Sequence, residues 1–200
     1  MKEIKLFCFG FGQVAKNFVK KLSSENFTIK LSTTTRNKSS IQKFDQITYS
    51  SLQFDNNIFD SEINVKVKNS DYILISVPPK NREDLVIKNF SKMIVGSNPK
   101  WVTYLSATSV YGDHKGEWVN EDSSTKPTTS NGMDRLAAEN SWMNLHTNNK
   151  LPLQIFRLSG IYSNENNILS RLKYGNVKIV NKRNHFFSRI HVEDIANILF

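Results

Sequence analysis

Short apolar runs that alternate with stretches of helical periodicity constrain this chain more than any other feature. Glu3–Phe9 (EIKLFCF) reads as a strand, and Gly10-Phe11-Gly12 breaks it. From Gln13, Val14, Phe18 and Leu22 recur at four-residue steps with Val19 beside them, which is one face of a helix. Phe27–Thr34 (FTIKLSTT) is a second strand, and Ile47–Phe54 is a weaker strand or a loop-like connection. Asp71–Val77 (DYILISV) is a buried strand stopped by Pro78-Pro79, which cannot continue a ladder. Val86, Phe90, Met93 and Ile94 then share a helical face, Trp101–Leu105 is a strand, a helix lies around Asp134–His146, and Leu153–Leu158 is a further strand. Strands separated by helices predict an α/β chain with a doubly wound, mostly parallel sheet. The longest polar connection, Gly112–Asn131, follows a strand, at the carboxyl edge where such sheets bind ligands.

Two hundred residues with 38% hydrophobic content are enough for one domain with a sizeable core. The net charge of +9 comes from Lys and Arg scattered among Asn and Ser, without a basic stripe interleaved with aromatics. A solvated surface accounts for it, and no nucleic-acid partner is expected. No apolar run reaches the ~18 residues of a membrane span, and no secretory signal or membrane partner is expected. The single cysteine, Cys8, has no intramolecular partner, so a reducing, cytoplasmic setting is the expectation.

The first chemical signal is Gly10-Phe11-Gly12-Gln13-Val14-Ala15, a GxGxxA between a strand and a helix. Gly10 permits the tight turn, Gly12 lets the backbone approach a pyrophosphate, and Ala15 keeps the helix close to the sheet. The free N–H groups at the helix start favour the phosphates. A dinucleotide cofactor is therefore predicted to touch Gly10, Phe11, Gly12, Gln13 and Val14, and also Ser76, Val77 and Pro78 at the exit of the DYILISV strand. An NAD site usually places an acid after the second strand to bind the ribose hydroxyls, yet no acid lies between Glu25 and Asp45. Thr35 and Arg36 stand there instead, and a guanidinium suits a 2′-phosphate, so NADP is expected over NAD.

Further segments carry a family resemblance. Tyr104–Gly112 (YLSATSVYG), Pro127–Glu139 (PTTSNGMDRLAAE), Phe156–Tyr162 (FRLSGIY) and Arg189–Ala196 (RIHVEDIA) follow in order. Together they resemble the extended short-chain dehydrogenases/reductases, the NAD(P)-dependent epimerase/dehydratase family, and within it the YeeZ-like branch. The resemblance implies a Rossmann fold, an NAD(P) cofactor, and a small-molecule substrate of the nucleotide-sugar kind. It also implies homodimers formed through helices flanking the YxxxK segment, where Met133, Leu136, Ala137 and Met143 either supply such a surface or pack on the sheet. A 6-phosphogluconate-dehydrogenase-like reading, drawn from GxGxxA and DYILISVPP, leaves SATSVYGD and RIHVEDIA unexplained.

The sequence departs from the family at each catalytic position. The Ser/Thr position holds Ala107, the Tyr position Asn131 and the Lys position Arg135. Asn131 has no proton to exchange near neutral pH and Ala107 has no hydroxyl, whereas a guanidinium retains the charge to touch a ribose. Ser106, Thr108, Ser109 and Ser130 supply hydroxyls if the register slips by one. The resemblance gives Tyr111 a structural role lining the site, and makes Tyr162 a packing or pocket residue. Ser163-Asn164 stands where the family has Gly-Pro.

Other chemistries find no pattern. His114, His146, His185 and His191 are widely spaced, and neither HExxH nor CxxC occurs, so no metal is expected. His191 reads as a hydrogen-bonded structural residue. Asp113, Glu117, Glu121 and Asp122 form an acidic stretch that reads as a solvated loop or an acid/base group.

Two functions follow: an NADP-dependent oxidoreductase or epimerase-like enzyme with altered proton transfer, or a non-catalytic dinucleotide-binding protein that senses or stores the cofactor. Members of the family continue past their HVxDIA segment, so residues 1–162 are expected to form the Rossmann domain. Residues 163–200 are then expected to hold the start of a truncated substrate side plus a late helix.

Overall fold

The computed structural model describes residues 2–175 and 186–200; His185 lies outside the described residues. Strand β1 (Glu3–Phe9) leads into helix α1 (Gln13–Ser24), and β2 (Thr28–Thr35) follows. Strands β3 (Ser40–Phe44), β4 (Ile47–Asp55) and β5 (Ile58–Phe59) come next, then α2 (Glu62–Lys68), β6 (Tyr72–Ile75) and α3 (Leu85–Gly96). Strand β7 (Trp101–Ala107) runs into a short 3-10 turn at Thr108–Val110. Helix α4 (Ser130–Asn149), β8 (Leu153–Leu158), β9 (Gly160–Tyr162), α5 (Ile168–Lys173), β10 (Arg189–His191) and α6 (Val192–Leu199) complete the chain. The main sheet has the order β3-β4-β2-β1-β6-β7-β8. It is parallel from β4 to β8, with β3 and β5 antiparallel to β4. A separate parallel pair joins β9 to β10.

The near-continuous apolar run of β1 is explained by burial on both faces. Phe7 and Phe9 pack with Phe54, Ile63, Phe90, Ile94 and Trp142, under α2, α3 and α4. Leu6 and Cys8 pack with Val14, Phe18, Ile195 and Leu199, under α1 and α6. The chain is thus an α/β, doubly wound, mostly parallel sheet, as the strand–helix alternation predicts. Among the described residues no helix is long and apolar enough to cross a membrane.

Some stretches differ from the sequence reading or fall outside it. Ile47–Asp55 is a full strand between β2 and β3, stabilised by parallel pairing on one side and antiparallel pairing on the other. Ser40–Phe44 carries little apolar signal because its first four residues are exposed at the sheet edge. Glu62–Lys68 (EINVKVK) alternates like a strand but folds as a helix that buries Ile63 and Val67, four apart, and exposes Val65. Helix α4 extends beyond Asp134–His146 at both ends: Thr129 Oγ1 accepts the Gly132 N–H at 3.1 Å, and Lys150 closes the helix with a φ of 55°. On α4, Met133 and Met143 are exposed, whereas Leu136 and Ala137 are half-buried.

Candidate functional site

The carboxyl edge of the sheet gathers the glycine loop and the ends of β2 and β6. Gly10 has φ +85°, and a Cβ added there would lie 2.7 Å from Ser76 Oγ. Both conditions require glycine. The Gly10 N–H donates to Thr34 Oγ1 (2.8 Å), while Ser76 donates to the Phe9 carbonyl from its N–H (2.9 Å) and its hydroxyl (3.0 Å). The loop is therefore pinned from two neighbouring strands. Gly12 is different. Its φ of −84° suits any residue, and a Cβ added there would meet nothing within 4 Å. As the N-cap of α1 it offers no side chain to the first amides, and no acid occupies the first turn. By contrast, Asp84 caps α3 through bonds from the Val86 and Ile87 N–H groups.

The other expected residues take distinct places. The Phe11 ring packs edge-on against Phe44 (5.3 Å between centroids) and beside Tyr49 (5.1 Å). Val14 is buried in the core, and Gln13 accepts at its carbonyl from Asn17 Nδ2. The Phe11 and Val14 side chains are therefore engaged in packing. Ser76 and Val77 are half-buried and Pro78 is exposed. Thr35 Oγ1 accepts the Asn37 N–H at 3.2 Å, and Arg36 is exposed on the turn that follows. That turn is fastened by Ser39, whose Oγ accepts from the Gln53 N–H (2.9 Å) and donates to Asp60 Oδ2 (2.5 Å). The Ser39 hydroxyl and the Glu62 N–H hold the Asp60 carboxyl below its ordinary range. Thr34, which reaches the loop, was legible only as part of a polar strand exit.

At the positions that the sequence resemblance makes catalytic, the side chains do not join in a hydrogen-bonded relay. Ala107 ends β7, and Asn131 is exposed in the first turn of α4. Arg135 is half-buried; its Nη1 donates to the Leu105 carbonyl at 2.6 Å and to the Tyr104 hydroxyl at 3.3 Å. Burial pushes the Tyr104 phenol well above its ordinary range. Of the neighbouring hydroxyls, Ser130 is exposed, Thr108 and Ser109 are half-buried, and the Ser106 Oγ is buried with no hydrogen-bond partner among the described residues.

Sequence reasoning missed the group that holds this region together. Arg157 on β8 donates from Nε and Nη2 to the Glu139 carboxylate (2.8–3.2 Å) and from Nη1 to the Tyr111 hydroxyl (3.1 Å). The guanidinium lies 4.9 Å from the Tyr111 ring centroid, and Nη1 also reaches the Glu121 carbonyl at 3.4 Å. Tyr111 is thus engaged internally. The connection that begins at Gly112 closes on itself: the Lys126 N–H donates to the Tyr111 carbonyl, and His114 Nε2 lies 3.1 Å from the Ser124 carbonyl. Half-buried His191 caps α6 by accepting the Glu193 N–H, with the Tyr162 ring 5.0 Å away. Among the described residues no three His, Cys, Asp or Glu side chains are placed to hold a metal ion.

Comparison with known proteins adds a class to this geometry. No family model matches the chain, and no curated protein does. Solved structures do. The UDP-N-acetylglucosamine 4-epimerase of Methanobrevibacter ruminantium M1 superposes with a TM-score of 0.75 at 17% identity, covering 98% of this chain and 72% of that one. MoeE5, solved with UDP-glucuronic acid and NAD, gives 0.75 at 18%, covering 100% and 71%. The fold is therefore that of the NAD-dependent epimerases and dehydratases. A functionally unknown conserved protein from Silicibacter pomeroyi DSS is 32% identical with a TM-score of 0.79, and the match covers 100% of this chain and 67% of that chain. The chain belongs to the same family as that protein.

Proposed function

We propose that this chain binds a nicotinamide dinucleotide on the Gly10–Ala15 loop, with NADP preferred over NAD, and that it stands in the YeeZ-like branch of the epimerase/dehydratase family. One observation carries the reading: Gly12 is a glycine that nothing among the described residues requires. A bare N-cap above an uncapped helix start is the cradle that a pyrophosphate fills. Gly10, Gly12 and the first-turn amides would hold the phosphates, Ser76, Val77 and Pro78 would flank the nicotinamide half, and Thr35 with Arg36 would receive the 2′-phosphate. When bound, the nicotinamide supplies hydride chemistry. The NAD and UDP-sugars in the MoeE5 structures support a dinucleotide and a nucleotide-sugar second ligand. A lone, buried Cys8 suits a cytoplasmic setting. The exposed Met133 and Met143 on α4 suit a homodimer.

Calorimetric titration with NADPH and NADH tests the assignment. NADPH binding tighter than NADH is the expected result, and no binding of either refutes it.

Within this reading the chain binds without the family's Tyr-mediated proton transfer, because neither Asn131 nor Ala107 has a side chain that acts as an acid or base near neutral pH and Arg135 is tied to β7. The unpartnered Ser106 hydroxyl favours a second reading, an oxidoreductase or epimerase-like enzyme with an altered proton donor. NADPH consumption by the unmodified chain selects the enzyme. Activity on a nucleotide sugar gained only in Asn131→Tyr with Arg135→Lys selects the binding protein.

A further inference from the structure

Parallel neighbours such as β2 and β4 are usually joined by a crossover helix. Here the connection is an antiparallel strand, β3, lying outside β4. Its first four residues are exposed, and only Phe44, at its end, is half-buried. Phe44 and Tyr49 of β4 receive the ring of Phe11, at 5.3 and 5.1 Å. From α1, the Lys16 ammonium lies 6.0 Å from the Phe11 centroid and 5.8 Å from that of Phe44, and the Lys20 ammonium lies 5.8 Å from Phe44. Such distances are within reach of cation–π attraction.

Phe11 is flanked by two glycines, so its ring is the one side-chain handle on Gly10-Phe11-Gly12. Glycines lose the most conformational freedom when ordered. Whatever fixes the Phe11 ring therefore fixes the direction of the loop amides. We infer that Phe44 and Tyr49 are positioning residues for the phosphate cradle: the β3–β4 hairpin clamps Phe11, and this preorganises the loop for the pyrophosphate of its ligand. The inference rests on the dinucleotide reading above and adds to it the element that sets affinity for the diphosphate. Preorganisation strengthens binding by removing the ordering cost from the binding step.

The test uses three probes on the intact chain: NADPH, ADP-ribose, which has the pyrophosphate but no nicotinamide, and adenosine 2′-monophosphate, which lacks the pyrophosphate. Loss of one ring–ring contact in Phe44→Ala is expected to raise the Kd of NADPH and ADP-ribose by the same factor, about 3- to 10-fold. Tyr49→Leu should do likewise. Adenosine 2′-monophosphate should bind with unchanged affinity, and Phe44→Tyr should restore the wild-type Kd of ADP-ribose. An unchanged ADP-ribose Kd in folded Phe44→Ala overturns the proposal, as does an equal loss for adenosine 2′-monophosphate, which marks a merely structural role. If Phe44→Ala does not fold, Phe44→Leu is judged by the same criteria. Failure of the wild-type chain to bind ADP-ribose or either dinucleotide defeats the cofactor reading and this inference together. Wild-type binding that survives unchanged in the variants defeats the inference alone.

Discussion

Replacing Gly10 and Gly12 separately by alanine should separate what the fold needs from what a ligand needs. At Gly10, an L-residue pays about 1–2 kcal/mol for the left-handed region. The new Cβ also displaces Ser76 Oγ, 2.7 Å away, whose bond to the Phe9 carbonyl is worth roughly 1 kcal/mol. A total of about 2–3 kcal/mol lowers the Tm of a chain this long by roughly 5–10 °C. At Gly12 the dihedrals are ordinary and the space is open. Alanine is a poorer N-cap than glycine, but it restricts the unfolded chain by about 0.4–1 kcal/mol, so the two effects nearly cancel. Gly12→Ala should therefore melt within about 3 °C of the wild type. A methyl group in a fitted cradle costs about 1–3 kcal/mol, or roughly 5- to 150-fold in Kd for NADPH. Differential scanning fluorimetry and calorimetric titration of both variants read the two effects. A Gly12→Ala chain that binds NADPH as tightly as wild type refutes the close-approach argument.

Arg36→Ala should weaken NADPH by about 10- to 100-fold, as loss of a charged hydrogen-bonded contact implies, and leave NADH unchanged in the same titration. Glu139→Ala leaves the half-buried Arg157 guanidinium without its carboxylate partner and should cost about 1–3 kcal/mol in a urea melt. Because Arg157 also holds Tyr111 and the Glu121 carbonyl, the same variant should speed tryptic cleavage at Lys115. Asp84 is held above its ordinary carboxyl range, first by burial, and bonds from Ile87, Trp142 and Val86 only partly offset this. Its folded form thus binds a proton more readily than its unfolded form. This site's contribution to stability falls as pH rises from the ordinary carboxyl value through the raised one. Asp84→Asn should abolish that slope in pH-dependent melts and cost about 1–3 kcal/mol, since the amide cannot accept from both the α3 N–H groups and Trp142 Nε1.

The sequence made the buried strands legible because two-sided burial writes a continuous apolar run. Glu3–Phe9 begins and ends where its side-chain pattern does. The edge left no such record. In Ser40–Phe44 four of five residues are exposed, so neither alternation nor an apolar run marks the strand, which pairs antiparallel with β4. In Glu62–Lys68, Ile63, Val65 and Val67 alternate as in a strand, yet the segment is a helix that buries only the first and third.

The same division runs through the site. Gly10 and Gly12 share a motif, yet only the neighbouring strands tell them apart: Ser76 presses on the first and nothing approaches the second. Arg135 is the sharper case. By position it keeps the charge of the lysine that the sequence resemblance places there, and charge is all that a sequence position can show. A guanidinium offers five donors in a rigid fork, and here Nη1 of that fork reaches the Leu105 carbonyl and the Tyr104 phenol across the α4–β7 contact. A lysine's single ammonium could turn to one ribose oxygen. The arginine instead bridges helix and strand, so the substitution changes which partner the charge serves. With Asn131 exposed and Ala107 without a hydroxyl, the positive charge of Arg135 serves the carboxyl end of β7.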